Sequence, residues 1–152
     1  MQISKNMSYA EATNTNVNAK NDPTPEHLEN IKLLAEKVFE PLRVLVGNKP
    51  IKINSVYRSK EVNAAIKGSS KTSQHCKGEA MDIKGTNVSN AALGRLIKDN
   101  LTFDQLIFEY PTAGEPAWIH VSYSKTKNRK QVLMCYGASD YRPFNDKLIN
   151  KL

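Results

Sequence analysis

The sequence predicts a single α+β domain in which helices pack on a small antiparallel sheet. Three observations carry that reading. One long stretch of apolar residues at helical spacing opens the ordered part of the chain, and four short runs with strand character follow it. The length of 152 residues, 39% of them hydrophobic and 24% charged, suits one globular domain. The boundaries expected are a polar N-terminal arm over residues 1–22 and a folded domain over 23–152.

The first 22 residues are rich in Asn, Thr, Ala and Ser. They lack sustained periodicity, which predicts an extended arm laid over the domain or a frayed terminus. Asp22-Pro23-Thr24-Pro25-Glu26 is a helix start: Thr24 is placed to cap, Pro25 takes the first helical position and Glu26 the first turn. Leu28, Ile31, Leu34, Ala35, Val38 and Phe39 recur at helical spacing, and the apolar pattern runs on to Gly47, giving one amphipathic helix of about 20 residues.

After the break at Gly47-Asn48-Lys49-Pro50, Ile51, Ile53 and Ser55 alternate with Lys52 and Asn54 as in a half-buried strand. Ser59 is placed to cap a short helix over Lys60–Ile66, closed by Gly68 and a Ser/Lys/Thr loop. Ala80–Ile83 reads as a second strand, and Ser89 opens a third helix through Leu93, Leu96 and Ile97. Phe103–Tyr110 and Trp118–Tyr123 read as two adjacent strands joined by a Pro/Gly loop, a hairpin.

Composition removes several function classes. No stretch approaches the roughly 20 apolar residues of a membrane helix, and Met1–Asn6 lacks the apolar run of a secretory signal. The expected product is cytoplasmic on synthesis, with no signal peptide and no membrane insertion. Cys76 and Cys135 are too few for a disulfide framework and read as two buried thiols. The net charge of +7 favours polyanions in general. No nucleic-acid-binding signature accompanies it, and the basic residues are dispersed apart from Lys125, Lys127, Arg129 and Lys130.

Residues able to do chemistry concentrate in short segments. Six residues separate His75 from Asp82, and the link through Gly78 lets the chain turn so that both face one point; His120 lies inside the strand WIHVSY. Two imidazoles and one carboxylate suit a catalytic zinc, with a fourth position left open. Trp118 falls two residues before His120, on the same face of an extended strand. It therefore either lines a cleft beside the metal or packs under the sheet.

The surrounding residues make the pattern specific. Ser55-Val56-Tyr57-Arg58-Ser59, Glu61-Val62-Asn63, the run from Gly68 to His75, then Gly78, Ala80, Asp82 and WIHVSY closely resemble the zinc D-alanyl-D-alanine peptidase family. That family includes D,D-carboxypeptidases, D,D-dipeptidases and phage L-alanyl-D-glutamate endolysins, and it shares its fold with the amino-terminal domain of hedgehog proteins. The resemblance runs from about Asn30 to Tyr123 and is closest to short phage-type members.

The resemblance implies a hedgehog-like D,D-peptidase domain with His75, Asp82 and His120 as the ligands of a Zn²⁺ cofactor. Arg58 matches the arginine that polarises the scissile carbonyl or grips a substrate carboxylate. Ser73 and Gln74 either hydrogen-bond the substrate or shape the loop. Many members carry an acidic residue three positions before the last histidine, where this chain has Ala117. Hedgehog-like and phage-type members place a glutamate at the end of the preceding strand instead, and Glu109 matches it; Glu115 is the second candidate base. The implied partner is the peptidoglycan stem peptide and the implied setting an endolysin that acts on the cell wall after release, as a monomer. The alternative is a zinc-containing cell-wall-binding module with impaired catalysis.

Overall fold

The computed structural model describes residues 1–66, 69–70 and 72–152. Gly68 and Lys71, in the predicted helix end and loop, lie outside the described residues. The N-terminal stretch is more ordered than its composition suggests. Strands β1 (Gln2–Ser4) and β2 (Met7–Ser8) form an antiparallel ribbon, and a single helical turn, α1 (Tyr9–Ala12), follows. Ser8 and Glu11 close a reciprocal capping box on that turn, while Ile3, Met7 and Ala12 are buried. Glu40 accepts hydrogen bonds from the Ser4 hydroxyl and from both the backbone and side chain of Asn6, tying this ribbon to the long helix.

That helix starts where predicted, with Thr24 as its cap. It runs as α2 (Pro25–Leu34), a wide π turn at Ala35–Phe39 and α3 (Glu40–Leu45). The π turn sits directly before Pro41, which has no N–H with which to continue the α ladder. Strand β3 (Ile51–Ser55), helix α4 (Lys60–Ala65), a 3₁₀ turn at Gln74–Lys77, strand β4 (Ala80–Gly85) and helix α5 (Asn90–Asn100) come next. Ser59 and Ser89 accept from Val62 N–H and Ala92 N–H, capping α4 and α5 as predicted. The hairpin strands are β5 (Gln105–Glu109) and β6 (Trp118–Ser122), and the chain finishes through β7 (Gln131–Cys135), β8 (Tyr141–Pro143) and a short 3₁₀ turn.

Six strands form the main sheet in the order β3-β4-β6-β5-β7-β8. All pairs are antiparallel except β5–β7, which runs parallel, so the sheet is mixed rather than wholly antiparallel. The parallel neighbour arrives because the chain from β6 crosses over to place β7 on the far side of β5. Side chains alternate across the sheet with period two. Met81 and Ile83, Ile119 and Val121, Leu106 and Phe108, Val132 and Met134 face the helices and form the core. Asp82, His120, Glu109 and Cys135 occupy the opposite face and line an open cleft of about 1040 Å³.

Helix α5 lies across β4, β6 and β5 on the core face. Its closest approach is at Gly94, where an added Cβ would sit 2.2 Å from Phe108 Cε2. No helix among the described residues is long and apolar enough to cross a membrane. Gly94→Ala is expected to destabilise the fold by about 1–3 kcal/mol through overpacking. The denaturation midpoint would show the loss; a midpoint equal to wild type would mean that α5 does not seat this closely.

Candidate active site

Strands β4 and β6 pair with Asp82 directly opposite His120. Directly opposed side chains on one face are near neighbours, and here His120 Nδ1 stands 3.0 Å from Asp82 Oδ1. His75 arrives from the 3₁₀ turn. The Ser73 hydroxyl caps that turn by accepting from His75 N–H. Gly78, with φ of +76°, then reverses the chain into β4, and a Cβ at this position would meet the His27 carbonyl oxygen at 2.6 Å.

His75 Nδ1 lies 2.7 Å from the Val56 carbonyl oxygen. A carbonyl only accepts, so Nδ1 carries the proton and Nε2 presents a lone pair. That Nε2 is buried without a hydrogen-bond partner among the described residues and faces Asp82 Oδ2 at 3.3 Å. Two electron-rich atoms facing each other at that distance suit a shared cation. One ligand atom from each of His75, Asp82 and His120 falls within 4.8 Å of the others. Nitrogen, nitrogen and carboxylate oxygen are donors that zinc accepts, so the residues fit the metal.

The electrostatics agree with that fit. Burial pushes His75 below the ordinary histidine range, which keeps it in the neutral, ligating form. Burial works against the charge of Asp82, but hydrogen bonding from His120 opposes it, and the carboxyl is held well below its usual range. The third histidine is not part of the centre. His27 occupies the first turn of α2, where its Nδ1 accepts from Thr24 N–H.

Glu109 ends β5 on the cleft face, opposite Trp118 on one side and beside Cys135 of the parallel strand on the other. It is buried, and the loss of solvation raises its carboxyl above the ordinary glutamate range; His120 opposes that shift and Asp82 adds to it. Glu115 is differently employed. Its two carboxylate oxygens accept from Asn90 N–H (2.9 Å) and Ala91 N–H (3.2 Å), closing the start of α5. Ala117 is exposed, and its N–H donates to the Glu109 carbonyl.

Arg58 donates from Nε to Ser55 Oγ (3.1 Å) and from one terminal nitrogen to Asp82 Oδ2 (3.0 Å). It lines the cleft with N–H groups to spare. Gln74 Nε2 donates to Asp104 Oδ2 at 3.0 Å, and Asp104 in turn takes a paired contact from Arg129. Ser73 and Gln74 thus both shape the loop that delivers His75 while lining the cleft. Trp118 is half-buried on the cleft face against Tyr110, with ring centroids 5.3 Å apart. Of the two cysteines, Cys135 is buried and Cys76 only partly so.

The sequence reading did not reach the far wall of the cleft. Cys135 and Tyr141 stand there, on β7 and β8. The run Gln131-Val132-Leu133-Met134-Cys135 was the signal available, but nothing local shows that it lies beside β5.

Two imidazoles and a carboxylate on a cleft floor, with a buried glutamate alongside, define the site as that of a metallohydrolase. A family model described as Peptidase M15 matches residues 5–122, and the chain belongs to the M15 peptidase family. M15 peptidases are zinc-dependent, so membership implies a zinc metallopeptidase. The matched span holds all three candidate ligands together with Arg58 and Glu109, and it stops before β7. No curated protein matches the chain at a significant level.

His75→Ala, Asp82→Ala and His120→Ala are each expected to lose most bound zinc, since two remaining ligands hold the metal poorly. Elemental analysis of the purified variants reads this directly; stoichiometric zinc in His120→Ala would remove His120 from the ligand set.

Proposed function

We propose that this protein hydrolyses a peptide bond in the stem peptide of bacterial peptidoglycan, as a D,D-carboxypeptidase or an L-alanyl-D-glutamate endopeptidase of the endolysin kind, encoded by a phage and acting on the wall after release. The observation that carries the reading is the buried Glu109 carboxylate on the same cleft face as His75, Asp82 and His120. A ligand set alone fits a storage or structural site; a neighbouring desolvated carboxylate is what proton transfer requires.

Zinc held by the triad supplies a Lewis acid, which polarises a carbonyl and lowers the pKa of water towards about 7. Glu109 takes the proton from the attacking water and returns it to the leaving amine, acting as base and then acid. Its burial supports this assignment, because a carboxylate raised above its ordinary range is a better match to protons moved near neutrality. Arg58 uses the N–H groups left after its contacts to Ser55 and Asp82 to hold the substrate carbonyl or a terminal carboxylate. Trp118 offers an apolar wall, and the Ser73 hydroxyl, whose oxygen is engaged by His75 N–H, retains its own proton for the substrate.

The net charge of +7 supports attraction to an anionic wall. The second reading, a wall-binding module with impaired catalysis, rests on Ala117 standing where many relatives have an acid. Digesting purified peptidoglycan with and without a chelator, and following new free amines by mass spectrometry, separates the two.

Glu109→Gln is expected to retain zinc while turnover falls roughly 10²- to 10⁴-fold, the usual worth of acid–base catalysis. Wild-type turnover in Glu109→Gln would show that the base lies elsewhere.

Arg58→Lys keeps the charge and loses the planar fork, so zinc is expected to stay bound while the rate drops by about 10²-fold. If this variant unfolds and its folded fraction is fully active, the arginine is structural.

A further inference from the structure

The N-terminal stretch does more than cover the domain. Four hydrogen bonds fasten it around Arg58: Tyr57 N–H to the Ala12 carbonyl, the Asn21 amide to the Tyr57 carbonyl, Ser59 N–H to Asn21 Oδ1, and the Ser59 hydroxyl to the Lys20 carbonyl. Asn21 also donates to the Thr13 carbonyl at 2.8 Å, which closes the intervening residues into a loop of fixed ends. The loop is therefore held as a wall, because moving it would break bonds on both sides of Arg58.

Against that wall lies a second pocket of about 220 Å³, lined by Asn14, Thr15, Asn16, Val17, Asn54 and Ser55, and by Arg58 and Ile66. Arg58 and Ile66 line the main cleft as well, so the two spaces meet at Arg58. The side chains of Asn14, Asn16 and Asn54 are exposed and make no hydrogen bond among the described residues. Each carboxamide offers two donors and an acceptor, the complement of the C=O and N–H of an extended peptide. Among the described residues Arg58 is the only charged side chain in the lining, and Val17 and Ile66 supply apolar contact suited to a methyl group.

We propose that the substrate cleft continues past Arg58 into this asparagine-lined pocket, and that the pocket binds the neutral peptide backbone of the substrate on the Arg58 side of the metal centre. The inference rests on the peptide-hydrolase reading and adds to it a binding subsite contributed by residues 14–17. The ligand class follows from the lining: uncharged amides and one small apolar wall select a short neutral stretch of peptide, with Arg58 at the border to take a carbonyl or carboxylate.

The test uses the full-length, zinc-loaded protein and a synthetic N-acetyl-L-Ala-γ-D-Glu-L-Lys-D-Ala-D-Ala pentapeptide as probe. Addition of the peptide to ¹⁵N-labelled protein is expected to shift the side-chain amide signals of Asn14, Asn16 and Asn54 together with the Trp118 indole signal. Asn16→Ala combined with Asn54→Ala is expected to weaken binding by about tenfold, the scale of one to two lost hydrogen bonds, at unchanged zinc content and melting temperature. A Trp118 shift with the three asparagine signals unmoved would overturn the subsite while leaving the peptide-hydrolase reading standing. If no signal moves at all, the stem peptide is not the ligand and both readings fall. Should the double variant melt early, the single Asn54→Asp change decides the matter by its own loss of affinity, and an affinity equal to wild type there would overturn the subsite.

Discussion

The pairing of β4 with β6 in one register governs the rest of the site. Asp82 meets His120 only because the strands align Ile83 with Ile119 and Met81 with Val121 on the core face. A slip of one residue in either strand would carry its candidate ligand into the hydrophobic layer and turn its two flanking apolar side chains to the open face. The cost of burying polar groups among Phe108, Leu93 and Ile97 makes that arrangement untenable. The core thus selects the register, and the register sets two of the three candidate ligands side by side.

The remaining ligand depends on a different kind of constraint. His75 stands on a short turn whose shape is set by local hydrogen bonds: Ser73 at its start, Gly78 at its end and the Val56 carbonyl on the ring. Arg58 N–H also donates to the His75 carbonyl, so the arginine loop and the ligand turn brace each other. A buried carboxylate such as Asp82 is costly unless donors or cations surround it, and here Arg58 and His120 meet that need on its two oxygens.

Much of this was legible in the chain. Thr24, Ser59 and Ser89 announced three helix starts because capping is a local interaction between a hydroxyl and an N–H three residues on. The candidate ligands could be singled out because two imidazoles and a carboxylate suit zinc and because the motifs around them resemble a zinc peptidase family; the spacing alone was weak. What stayed hidden depends on distant partners. The burial of Met7 cannot be inferred from its polar neighbours, and β7 lies parallel to β5 only because the chain crosses over after β6. Glu115, five residues before His120, looked as able a base as a loop acid can, yet the start of α5 claims both of its oxygens. Composition gives no sign that residues 14–17 stand beside Arg58, because Asn21 fastens them through contacts 36 and 38 residues away in sequence.

The crossover that puts β7 beside β5 leaves the closing of the cleft wall to the last part of the chain. Residues up to 122 supply the three candidate metal ligands, the arginine loop and strands β4, β6 and β5. They lack β7, without which the outer edge of β5 is open, a row of unpaired N–H and C=O groups ending at Glu109. A fold without β7 would hold the candidate ligands while still offering an open strand edge to a neighbour. Closure comes only with residues 131–135, which seal that edge and at the same stroke set Cys135 against the glutamate.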